Sequence, residues 1–195
     1  MKWSFSIGRF AGIDVRVHAT FFLLLLWVAF IYWQQSRDVA VVLDGVAFIV
    51  VLFACVVLHE FGHALTARHY GIKTRDITLL PIGGVASMES MPKNPRHEIA
   101  VAIAGPMVNF VIALVIYMFL PADPQNAINL SSEEQAGDLI GQLTFGERLV
   151  FVNLVLGIFN LLPAFPMDGG RVLRAFLSFF LPPVRATRTA ATVGQ

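Results

Sequence analysis

The chain has 195 residues, of which 56% are apolar and only 14% charged, with a formal net charge of +1 and a mean hydropathy of +0.70. Soluble domains sit near about 45–50% apolar and about 25% charged, so this composition belongs to an integral membrane protein and excludes an ordinary water-soluble fold. The near-zero net charge gives no support to a nucleic-acid partner, and a lone cysteine, Cys55, excludes an internal disulfide.

Residues 1–17 carry Lys2, Arg9 and Arg16 among alternating apolar residues with a turn at Gly12, which predicts a short interfacial strand or hairpin. A first span is expected over 18–33, Leu-rich and closed by Tyr32 and Trp33 as an interface belt. A signal peptide is the competing reading, but no A-x-A cleavage site follows. The second span, 44–67, is apolar almost without a break until His59-Glu60-Phe61-Gly62-His63 near its far end. Residues 68–98 are polar, and the apolar run 77–86 within them is punctuated by Pro81, Gly83 and Gly84. Proline removes a ladder donor and glycines admit another backbone, so this run reads as edge strands or a re-entrant loop. Further spans are expected over 98–120, 148–162 and 171–184. Residues 121–147 between them read as a polar loop with room for a short surface helix, and Pro182-Pro183 would suit a hinge. The expected architecture is an all-α polytopic bundle of about five to six transmembrane helices, one domain over 1–195, with a small β element near 77–88.

Loop charges orient this bundle. Lys and Arg are frequent in 1–17, 68–98 and 163–195, fall to Arg37 alone in 34–43, and are absent from 121–147. That alternation predicts a cytoplasmic N-terminus and four spans. It brings the histidines and Asp168 to the same membrane face although they lie far apart in sequence.

Two histidines four apart share one helix face, so both imidazoles can reach one ion. Ionisable groups at the end of a bilayer-length helix are costly, which makes them a functional-site hypothesis. The bland alternative is a chance HExxH in an unrelated helix. A catalytic zinc takes three protein ligands and keeps a fourth position for water. His59 and His63 would supply two; Asp168 is the leading third, since Gly169 and Gly170 permit a tight turn aiming its carboxylate into the bundle. The alternative for Asp168 is a turn-forming residue before Gly-Gly. Glu60 would be general base and then proton donor, the alternatives being a ligand or a surface carboxylate. Asn160, near the end of the fourth span, is a candidate oxyanion donor or helix glue, and Asn109 and Asn153 read as glue. Cys55 reads as a small buried hydrophobe. His18, His69 and His97 read as ordinary polar residues at borders or loops.

HEFGH at the end of the second span, together with the run 160–170 ending Met167-Asp168-Gly169-Gly170, the run 80–85 and Ala104-Gly105-Pro106, resembles the site-2 protease family of intramembrane metalloproteases. The resemblance covers roughly residues 5–190. It implies a single zinc ion on His59, His63 and Asp168, Glu60 as acid/base, and Asn160 on the substrate backbone or oxyanion. Gly83, Gly84 and Val85 would form an edge strand pairing with an unwound substrate. The implied partner is a transmembrane protein such as an anti-sigma factor or a membrane-tethered transcription factor, cut near its cytoplasmic side. A homo-oligomer is compatible with all of this. The loop at 121–147 is too short for a PDZ domain, so the chain resembles the PDZ-lacking branch. In that branch the stretch 186–195 would open a further helix, with CBS domains beyond it. Two rivals are a metal transporter, which would need further intramembrane ligands that the first and third spans do not offer, and a silent binding protein, which would have lost a ligand or the Glu.

Overall fold

The computed structural model describes residues 3–90, 92, 94–120 and 143–193. Two strands open the chain, β1 (Ser4–Phe10) and β2 (Ile13–His18), followed by α1 (Ala19–Ser36) and α2 (Val39–His69). A second strand pair, β3 (Thr74–Leu80) and β4 (Gly83–Met88), leads into α3 (Pro95–Phe119); α4 (Phe145–Asn160), α5 (Asp168–Leu177) and α6 (Pro183–Val193) complete the described residues.

Three of these helices, α1, α2 and α3, are long and apolar enough to cross a membrane. At 1.5 Å per residue α2 is about 46 Å long, well beyond the roughly 30 Å hydrocarbon layer. The expected spans 18–33, 44–67 and 98–120 fall on three helices; α1 runs further at its end, α2 at both ends and α3 at its start, and side-chain caps fix the three starts. His18 accepts from the Thr20 amide, Asp38 from Ala40, and Asn94 from Arg96 with Pro95 in the first turn. The fourth helix starts at a capping box formed by Thr144 and Glu147.

The C-terminal part departs from expectation. No continuous helix covers 171–184. The chain there is α5, of ten residues, then a break, then α6. Ten residues rise about 15 Å, half the hydrocarbon thickness, and Arg171 and Arg174 make α5 amphipathic rather than lipid-soluble. The described residues contain six helices, of which only three meet the length and apolarity of a span, rather than five to six spans. The loop expected at 121–147 lies outside the described residues as far as 142.

The hairpin expected within 1–17 and the β element expected near 77–88 are both present, and they join. One four-stranded sheet runs in the order β1-β2-β3-β4, with both hairpins antiparallel and β2 parallel to β3. The first hairpin closes through Ala11 and Gly12, both at positive φ (50° and 82°), the backbone of a tight two-residue turn. Arg68 at the end of α2 donates to the Ala11 carbonyl at 2.8 Å and ties the turn to the helix. One sheet face packs along α2. Val17 and Leu79 meet Phe21 and Phe53, and further along Ile13 and Ile77 meet Ala64. The sheet therefore covers the half of α2 that carries the histidines.

Helix α3 is the hub of the helical layer, packed on α2, α4 and α5. Glycines bring these backbones together: a methyl on Gly62 would lie 2.7 Å from the Ala104 carbonyl oxygen of α3. An ion pair of Glu98 on α3 with Arg174 on α5 fixes the short helix against the hub; Glu98 is only 9% exposed. Removing one partner of so buried a pair strands the other charge. Arg174→Ala should therefore destabilise the protein by about 3 kcal/mol, lowering the thermal unfolding midpoint in detergent. Adding Glu98→Gln should recover part of that loss, and a double variant no better than the single one would refute the pair's role.

Candidate metal centre

Each donor is placed by a different feature of the sequence. The i, i+4 spacing stacks His59 and His63 on the buried side of α2, with the rings edge to face and their centroids 4.7 Å apart. Asp168 arrives from the other end of the chain as the first residue of α5. Its approach depends on Gly169 and Gly170. A methyl on Gly169 would overlap the Leu162 carbonyl oxygen, and one on Gly170 would lie 2.8 Å from that of Ala164. Side chains there would push the first turn of α5 off the 161–164 backbone and swing the carboxylate away.

The result is a tight triangle. His59 Nε2 and His63 Nε2 are 3.0 Å apart, and Asp168 Oδ2 lies 3.2 Å from the first and 3.1 Å from the second. His63 Nδ1 donates to the Val101 carbonyl at 2.7 Å, which leaves Nε2 as the lone-pair nitrogen. With His59 in the same tautomer, three lone-pair atoms face one another in a buried place, an arrangement that repels unless a cation or proton lies between them. Donors about 2.0–2.1 Å from one tetrahedral ion stand about 3.3 Å apart, so the triangle fits a metal of that size. Asp168 lies outside the three long spans. Burial alone would raise its pKa, but hydrogen bonds and charge from His59 and His63 in their protonated form outweigh it and hold the carboxyl well below the usual carboxylate range, the place a metal ion would take in exchange for those protons.

Glu60 is not one of the three converging donors. Its side chain points into the same cavity, of about 550 Å³, where it lies beside the start of β4: a methyl on Gly84 would be 2.7 Å from Glu60 Cγ. Asn160, at the last position of α4, also lines that cavity, as do Gly83, Val85 and Arg171. All the candidate residues are therefore gathered around one space. Cys55 is buried but outside the donor group. His18 caps α1 and His97 stacks on Tyr70, so neither joins it.

Two contributors carry more than their sequence suggests. Asn109 lines the cavity, is 1% exposed, and its Oδ1 has no hydrogen-bond partner among the described residues. An amide in an apolar helix reads equally well as helix glue, and only its position four residues after Gly105, on the same face, hinted otherwise. Gly105 is the point where α3 crosses the two histidines. A methyl there would overlap His63 Nε2 and lie 2.7 Å from His59 Nε2.

A model of peptidase family M50 matches residues 47–195, most of the chain. The chain belongs to peptidase family M50. Over its whole length it is 38% identical to a zinc metalloprotease of Methanocaldococcus jannaschii, covering 52% of that protein. It is 33% identical to the stage IV sporulation protein FB of Bacillus subtilis, over 70% of this chain and 42% of that one. The chain thus spans about half the length of the curated relatives it matches. Among solved structures it superposes on the site-2 protease from Methanocaldococcus jannaschii with a TM-score of 0.66 at 36% identity, covering 98% of this chain and 80% of the other. The resemblance read from the motifs is thereby established at the level of the family, and zinc, the metal in several relatives' names, suits a donor set of two imidazoles and a carboxylate. Three apolar helices agree with a membrane protein.

Family membership and the geometry make Gly105 testable. Gly105→Ala should release zinc, because its methyl occupies space taken by the His63 ring. Metal analysis of the purified variant should show zinc far below the wild-type ratio, with the helical circular dichroism retained. A variant that keeps its zinc would contradict the close approach.

Proposed function

We propose that this M50 member is an intramembrane zinc endopeptidase that hydrolyses peptide bonds within transmembrane segments of membrane-bound proteins. The observation that carries the reading is the placement of Glu60. It lines the same cavity as the His59, His63 and Asp168 triangle yet stands apart from it, with an edge strand alongside.

His59, His63 and Asp168 would hold zinc, which when bound supplies an acidified water and polarises a carbonyl oxygen. Glu60 takes the proton of the attacking water and delivers it to the leaving amine. Asn160, across the cavity on α4, donates to the substrate carbonyl oxygen as charge builds there. The substrate's own helix must unwind first, since its carbonyls are occupied by internal bonds. β4 follows β3 at the edge of the sheet and borders the cavity at Gly83, Gly84 and Val85. An unwound segment laid along it would regain backbone hydrogen bonds by strand addition. Gly84 leaves Glu60 the room to reach that segment.

The Lys and Arg distribution supports a multi-pass topology with the N-terminus and this cavity towards the cytoplasm. The substrate would then be cut near its cytoplasmic end, as expected for a membrane-tethered regulator such as an anti-sigma factor or a transcription factor.

The test compares the protein with its Glu60→Gln variant in detergent, on a tagged transmembrane substrate. Glu60→Gln should keep its zinc and lose cleavage by about 10²–10⁴-fold. Persistent cleavage would sink the mechanism. Asn160→Ala should also keep its zinc and lose about 10²–10³-fold in turnover. An unchanged rate there would return Asn160 to helix packing.

A further inference from the structure

A second cavity, of about 470 Å³, lies at the turn end of the sheet, away from the metal centre. Arg9, Arg68, Lys73 and Arg75 line it from three separate segments, against a single lining carboxylate, Glu89. Glu89 reaches only Arg75, at 3.5 Å between exposed side chains, and Asp14 stands 3.7 Å from Arg9. Pairs this long and exposed neutralise little. Four cations around one hollow form a receptor for a phosphate. The wall is rigidly built, since Arg68 clamps the Ala11 carbonyl of a turn that carries a non-glycine residue at positive φ.

The position of the hollow indicates the source of the phosphate. The sheet lies against α2 from Phe53 to Ala64, and Arg68 follows one turn later. Arg68 lies in the last turn of α2, about 44 Å along the helix from Val39 and so beyond a roughly 30 Å hydrocarbon layer, which puts the cations at headgroup level. β1, which leads into the cavity at Arg9, is exposed on both faces, and its Phe5 and Phe10 stand opposite Val17 and Ile13 of β2. Phe5, Ile7 and Phe10 are each more than half exposed, and Phe5 packs edge to face on Phe22, among the exposed apolar residues of α1. An acyl surface therefore runs from α1 along β1 and stops at a basic hollow.

We propose that this cavity binds the headgroup phosphate of an anionic phospholipid, whose chains lie along the outer side of β1. The lipid fastens the β1–β2 edge of the sheet to the membrane surface. The inference rests on α1–α3 lying in a bilayer and not on the peptidase reading.

The test is native mass spectrometry of the delipidated, zinc-loaded protein with phosphatidylglycerol, phosphatidylcholine or inorganic phosphate. Phosphatidylglycerol should be retained in preference to the zwitterionic lipid. Each cation near a membrane surface contributes about a fivefold factor, so Lys73→Gln with Arg75→Gln should weaken retention about 25-fold while zinc content stays unchanged. Equal binding of the two lipids, or undiminished binding by the double variant, would overturn the proposal. Inorganic phosphate alone binding as tightly as phosphatidylglycerol would assign the cavity to a free anion instead and overturn the lipid. Should the double variant lose its zinc, Glu89→Gln gives the reciprocal measurement: about fivefold tighter retention is expected, and no change counts against the site.

Discussion

Two imidazoles and a carboxylate cannot stay unpaired beside an apolar helix, and much of this structure follows from making them face one another. Stripping such groups of water costs several kcal/mol unless each finds a partner. The partners come from both ends of the chain. Helix α3 must cross α2 closely enough for Val101 to accept from His63 and for Gly105 to fit under both rings. The first turn of α5 must press into the 161–164 backbone, which only Gly169 and Gly170 allow. Glu98 and Arg174 then hold α5 on α3, so one buried ion pair stabilises the helix that delivers the carboxylate. The centre is thus supported by backbone contact at glycines and by paired charge.

What was legible in the sequence follows from the range of the signals. Spacing of four residues puts His59 and His63 on one helix face whatever surrounds them, and hydropathy over a long window locates α1, α2 and α3. Asp168 was legible because loop charge placed it on the same membrane face, and because Gly-Gly after it permits a turn. Non-local pairing left no such trace. β2 and β3 lie parallel although two long helices separate them in sequence, and no local pattern announces a partner at that distance. The expected span 171–184 failed because the hydropathy of its second half was read across a break at 178–182. Arg171 and Arg174 in its first half signalled a short amphipathic helix instead. Gly105 and Asn109 take their meaning from what crosses them, and a sequence does not state what crosses a helix.

The sheet resolves a conflict that an all-helical bundle would leave open. A helix hides its backbone groups, so a purely helical wall offers an unwound substrate nothing to bond with. A strand edge offers those groups, but an edge facing hydrocarbon is costly. Here the sheet is laid along α2, where the apolar faces of β2 and β3 bury Phe53 and Ala64 and repay its placement. The edge strand β4 is turned towards a cavity that contains Glu60, Asn160 and Asp168. An edge that opens on this cavity keeps its unpaired backbone groups out of hydrocarbon, and it stands beside the carboxylate proposed to act. On this argument the glycine at 84 serves the arrangement. It lets the strand lie directly against Glu60, where any larger residue would push the carboxylate out of the cavity.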